Sequence, residues 1–254
     1  MAEVRASFVG LDGCRGGWIC ARQDGAAGLA LSRVHRLGDL LAPRPHPLVA
    51  IDIPIGLPER VGPRGRAPRV AGPSAAGRAS IFGVLYVGAG GGDGGPGSGR
   101  GRGHRYGAAR AVARATSDPP KAVAKPCFHL FAKIVEADTL LRGRPDPLPH
   151  LHECHPEVAF WAMNGRAALR EPKTARSRPY PPGLDLRIGR LASQGIPVDA
   201  LAAQSALALQ AGLDDLIDAC ACAWSAKRVA YGKALRFPDP PERDIFGLPI
   251  CLTV

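Results

Sequence analysis

Carboxylates dominate the residues of this chain whose chemistry stands out. Asp12 lies in Leu11-Asp12-Gly13-Cys14-Arg15-Gly16-Gly17-Trp18, Asp52 in Ile51-Asp52-Ile53-Pro54, Glu153 in His152-Glu153-Cys154-His155-Pro156-Glu157, and three more acids in Asp214-Asp215-Leu216-Ile217-Asp218-Ala219. Each sits at the end of an apolar strand-like run or on a helix face, where an ionised carboxyl is costly unless it meets a cation or hydrogen-bond donors. Asp215 and Asp214 precede Asp218 by three and four residues, spacings that put carboxylates side by side on one helix face. Like charges that close raise each other's pKa unless a cation neutralises them. Gathered by a fold, such an oxygen-rich set would cage a hard divalent ion, Mg²⁺ or Mn²⁺ rather than zinc.

Each acid taken alone has a structural alternative. Asp52 could cap the turn before Ile55-Gly56, Glu153 could pair with an arginine, and Asp214 and Asp215 could serve the positive end of a helix. His155 could relay a proton, but a histidine just before Pro156 suits a helix cap or a packing position equally well. Lys173 could contact a phosphate, or be a solvated loop lysine.

The elements that must position these groups follow from periodicity. Ser7 to Leu11, Trp18 to Arg22 and Leu29 to His35 read as three strands joined by glycine-containing turns, an antiparallel meander. Leu48 to Ile53 is an apolar run of the kind buried on both faces of a parallel strand, stopped by Pro54. A helix is predicted over Ala122 to Leu141, a short strand over Leu151 to Cys154, and a helix opening at Pro156 and ending at Gly165. Further helices are predicted over Leu184 to Ser193, Val198 to Leu209 and, longest and richest in alanine, Leu213 to Leu235. Ile245 to Val254 reads as a tail packed on the body. This order predicts an α/β fold with a mixed five-stranded sheet, three antiparallel strands followed by parallel ones, flanked by helices. Ligand sites of such sheets gather at the carboxyl ends of parallel strands, where Asp12, Asp52 and Glu153 would lie.

At 254 residues the chain suits a single domain over 1–254. The net charge of +11 resembles that of a nucleic-acid binder. However, Arg60 to Arg114 holds ten arginines, no lysine and one acid, so that stretch alone carries +9. Within it, about 62 to 106 is low-complexity Gly/Arg-rich text, expected to be a disordered insertion, and it lacks the aromatic residues needed for base stacking. The seven cysteines form no CxxC pair, which fits reduced, buried thiols and a cytoplasmic protein. No run approaches a membrane span, and no secretory leader is legible at Met1 to Val9.

The motifs resemble the family catalogued as domain of unknown function 429, predicted nucleases with an RNase H-like fold. The resemblance is carried by the three acid motifs from Val9 to Trp18, Ile51 to Pro58 and Glu153 to Glu157, and by Lys133-Ile134-Val135-Glu136-Ala137-Asp138. Asn164-Gly165, Lys173-Thr174, the Asp214 to Ala219 motif and Gly247-Leu248-Pro249 complete it. It departs in the Gly/Arg tract, where Arg69-Val70-Ala71-Gly72-Pro73 and Ser80-Ile81-Phe82-Gly83-Val84 replace the family's Cys-Asp and Phe-x-x-Pro-x-Arg segments. That tract fits translation from a shifted reading frame of a GC-rich gene.

The resemblance implies two-metal hydrolysis of a phosphodiester, with nucleic acid as substrate. It implies that Asp12 bridges both ions, Asp52 holds one, and Asp218 with Asp215 completes the site, with Glu153 as a further catalytic candidate. Two rival readings are a nucleotide-binding, actin-like or kinase-like phosphotransferase, in which Gly13 to Gly17 would cradle phosphate, and a catalytically inactive binding protein of the same fold.

Overall fold

The computed structural model describes residues 7–24, 27–41, 47–58, 102–117, 119–143, 150–176 and 178–254. Three strands, β1 (Ser7–Cys14), β2 (Gly17–Asp24) and β3 (Ala27–Val34), form the expected antiparallel meander. Gly16, at φ +78°, makes the tight turn between the first two. After a short helix α1 (Leu37–Leu41), β4 (Leu48–Ile51) pairs parallel to β1, and β5 (Leu151–Glu153) pairs parallel to β4.

Two more strands, β8 (Arg236–Arg243) and β9 (Pro249–Thr253), extend the sheet to seven in the order β3-β2-β1-β4-β5-β9-β8. The expected five strands were too few because Pro238, Pro240 and Pro241 disguise β8: proline cannot donate a ladder hydrogen bond and is tolerated only at a sheet edge. A two-stranded hairpin, β6 (Thr174–Ala175) and β7 (Arg178–Pro179), stands apart from this sheet.

The remaining helices are α2 (Arg102–Ala115), α3 (Lys125–Arg142), α4 (Pro156–Met163), α5 (Pro181–Ser193), α6 (Ala203–Ala208) and α7 (Leu213–Ala230). Helix α2 begins inside the tract expected to be disordered; the alanine-rich stretch Ala108 to Ala115 outweighs Gly107 there. The rest of that tract, through residue 101, lies outside the described residues. The helix expected from Val198 shrinks to α6, since Val198 to Leu201 closes as a turn. Helix α7 stops at Ala230 rather than Leu235, where Gly232 adopts φ +65° and Lys233 N–H reaches back to the Arg228 carbonyl.

The chain divides into two compact units, one of residues 1–53, 146–236 and 252–254, the other of 54–145 and 237–251. In the first, α7 packs across β1, β2 and β4. Leu11, Trp18, Ile19, Ile51, Phe160, Leu216 and Ile217 are buried in its core, each worth about 1.5–3 kcal/mol of apolar burial. In the second, buried Asp244 accepts backbone N–H bonds from Leu57, Phe246 and Leu248, which offset the cost of its burial. Among the described residues no helix is long and apolar enough to cross a membrane.

Candidate functional site

The site lies wholly within the first unit. Gly10 starts it: a Cβ there would stand 1.9 Å from the Ala219 carbonyl oxygen and 2.1 Å from the Ala223 nitrogen. A side chain at residue 10 is therefore impossible without moving α7, whose small residues Ala219, Cys222 and Ala223 complete the close approach. Strand side chains alternate between faces, so Asp12, two residues on, faces the same way as Gly10, towards α7. Asp218, adjacent to Ala219, is consequently brought to Asp12.

Parallel pairing adds Asp52. Leu11 and Ile51 are in register, and Asp52 N–H donates to the Leu11 carbonyl at 2.9 Å, which sets Asp52 beside Asp12 at the strand exits. Next, Cys154 N–H donates to the Ile51 carbonyl at 2.9 Å, and the Cys154 thiol reaches Ser225 of α7. Cys154 thus shares the α7 face with Asp12.

Glu153 does not share that face. It is in register with Ile51, so the pleat turns it with Leu11 and Ile51 to the opposite side, where it is buried. It still acts on Asp52 through its charge. Asp215 is committed to its own helix, accepting the Gly212 N–H at 2.9 Å, although its charge also reaches Asp12. His155 takes the cap position of α4: its Nδ1 accepts the Glu157 N–H at 3.2 Å, which puts the ring proton on Nε2. Asp12, Asp52 and Asp218 are brought together; Asp215 and His155 serve helix ends, and Glu153 faces the other side of the sheet.

Electrostatics record that convergence. Burial, followed by the charges of Asp52, Asp218 and Asp215, raises the Asp12 carboxyl well above the usual range, against the pull of Lys173. Asp52 is pushed up to about 8 by burial and then by Asp218. Burial also lifts Asp218, to about 6, with Lys173 pulling the other way. Asp218 is only 3% exposed, and its Oδ1 has no hydrogen-bond partner among the described residues. Burial pushes the nearby Cys220 and Cys222 thiols up as well, which leaves them as inert packing groups.

Lys173 is the residue that sequence reasoning undervalued. Its ammonium forms an ion pair and hydrogen bond with Asp218 Oδ2. Burial disfavours the charge of Lys173, but Asp218, Asp12 and Asp214 together hold it protonated beyond the usual lysine range. Three restraints place it. The Lys173 carbonyl accepts the Tyr180 N–H at 3.0 Å, across the β6–β7 hairpin. Gly183 of α5 lies so close to Pro172 that a Cβ would fall 1.9 Å from its carbonyl oxygen. Arg187, 2% exposed, donates to the Glu171 carbonyl at 3.1 Å, to the Gly183 carbonyl at 2.8 Å, and with two nitrogens to Glu157 at 2.8 and 2.6 Å. A legible signal existed in Glu171-Pro172-Lys173-Thr174 followed by Gly183 and Arg187, but only contact reveals its meaning.

The donor set has the chemistry of a hard divalent ion: acidic oxygens, one of them buried and unpartnered, repelling one another. As arranged, no group of three His, Cys, Asp or Glu side chains among the described residues could enclose a metal ion, and the lysine ammonium supplies the positive charge at Asp218. Neither the comparison with curated proteins nor that with solved structures finds a match. The family described as "Protein of unknown function (DUF429)" matches residues 10–243, and the chain belongs to it.

Proposed function

We propose that the protein is a divalent-metal-dependent nuclease with an RNase H-like arrangement, hydrolysing phosphodiester bonds of nucleic acid. The observation that carries this reading is the buried, unpartnered Asp218 Oδ1 beside two carboxylates whose pKa values are raised by burial and mutual repulsion. Such a set of oxygens gains most from a cation. The antiparallel β1, β2 and β3 followed by parallel β1, β4 and β5 support the RNase H-like reading of the sheet.

Asp12, Asp52 and Asp218 are the residues that would hold Mg²⁺ or Mn²⁺. When bound, the ions supply an activated water and neutralise charge on the leaving oxygen. The chain's own contributions are rigidity and exclusion of water. Gly10 and the small residues of α7 fix Asp218 against Asp12, and the Asp52 N–H bond to Leu11 fixes the third carboxylate. The Gly13 N–H, which a phosphate cradle at the first turn would use, is bonded to Asp12 Oδ1 at 2.7 Å.

Cleavage of DNA and RNA with Mn²⁺ or Mg²⁺, abolished by EDTA, is the test. Asp12→Asn and Asp218→Asn should each lower the rate at least about 100-fold while the protein stays folded by circular dichroism. Heat stabilisation by ATP without cleavage would replace this reading with the phosphotransferase one. The absence of both would leave a noncatalytic binding protein.

A further inference from the structure

Lys173 has no part in the hydrolytic chemistry proposed above, yet three contacts between distant residues place it. The Tyr180 N–H bond to the Lys173 carbonyl, the close approach of Gly183 to Pro172 and the Arg187 bond to the Glu171 carbonyl hold residues 171–173. The result is one ammonium on one oxygen of a carboxylate that is 3% exposed, with the other oxygen left unpartnered. A lysine serving only to neutralise Asp218 would be expected to come with donors for that second oxygen, since a half-satisfied buried carboxylate is costly. Lys173 itself is part-exposed, with 27% of its side chain accessible, so its end of the pair is the one free to leave.

We infer that Lys173 is a built-in competitor for the divalent ion: its ammonium occupies the cation position at Asp218, and an ion enters by displacing it. The inference rests on the reading that this pocket takes a divalent cation, and not on phosphodiester cleavage. It accounts for a carboxylate set with the chemistry of a metal site in which, among the described residues, no three side chains are arranged to hold an ion. The displaced ammonium would swing into solvent on its flexible four-carbon stem.

Calorimetric titration of the full chain with Mn²⁺ tests it. Lys173→Met should bind Mn²⁺ at least about tenfold more tightly than the unaltered protein. Equal or weaker affinity in a variant that is folded by circular dichroism overturns the inference. Because K173M removes the partner of a buried carboxylate, a second measurement uses the unaltered chain. Amine-directed acetylation read by mass spectrometry should rise severalfold at Lys173 on adding Mn²⁺, with exposed Lys121 and Lys125 unchanged. Unchanged or reduced labelling of Lys173 at saturating Mn²⁺ overturns it independently. Cleavage of nucleic acid with no change at Lys173 would sink this inference alone. Mn²⁺ binding with Lys173 released, but no cleavage, would sink the nuclease reading alone.

Discussion

Two ion pairs within the same unit treat buried charge in opposite ways. Arg187 of α5 is 2% exposed, and its guanidinium grips both oxygens of Glu157 and two backbone carbonyls. Asp218 of α7 is buried to a similar degree, yet it has one lysine on one oxygen and nothing on the other. The planar arginine fork matches its carboxylate in two bonds, whereas the lysine is a single point charge on a mobile stem. Saturated donors and acceptors mark a joint that holds elements together, here α4, α5 and the loop before β6. Incomplete pairing, with neighbouring carboxyls raised in pKa, is the feature on which the proposed cation site rests.

Replacing Arg187 should break this contrast most severely. Arg187→Met leaves Glu157 and two backbone carbonyls without their donor, and should lower the free energy of unfolding by about 3 kcal/mol in a denaturant titration. Loss of well under 1 kcal/mol would show that the joint is not structural. Gly183→Ala touches both regions, because its Cβ would strike the Pro172 carbonyl next to Lys173. It should cost about 1–3 kcal/mol and also loosen the lysine, seen as increased acetylation of Lys173 without metal. An unaltered labelling pattern would separate the two regions.

The pH dependence of stability sharpens the same contrast. A carboxyl with a raised folded-state pKa binds more protons native than unfolded, so its contribution favours folding at low pH and is lost as pH rises. With an ordinary value of 3.8, and about 6 for Asp218 and about 8 for Asp52 in the fold, stability should decline between about pH 4 and pH 8. Asp52→Asn should flatten that decline, measured as melting temperature across the window. Mn²⁺ should flatten it as well, by neutralising the same carboxylates. A profile that rises over this range in the unaltered protein would refute the electrostatic description of the pocket.

Much of the first unit was legible because its signals are local. The meander, β4, β5 and α7 announce themselves through alternation, apolar runs and alanine content, and Asp12, Asp52 and Asp218 fall at element ends that those patterns define. Two strands of the main sheet escaped: the prolines of β8 mask its pairing, and β9 lies within the stretch that reads as a packed tail. Glu153 was grouped with the other acids by its position at a strand end, but register puts it a half-period out of phase with Asp12. His155 and Asp215 carry the right chemistry, and their first obligation is to helix ends, which composition cannot distinguish from a catalytic role.

Residue types and periods by themselves determined the first five strands in their order, most of the longer helices, and the presence of inward acids needing a counter-charge, since those depend on neighbours a few positions away. Only the tertiary structure decided which acids meet, and that Lys173, forty-five residues before Asp218, supplies the charge. The register between β1, β4 and β5, the missing Cβ of Gly10 and the grip of Arg187 are contacts between distant segments. Their geometry emerges when the chain packs, because close approach of backbone to backbone is a property of two surfaces together and of neither alone.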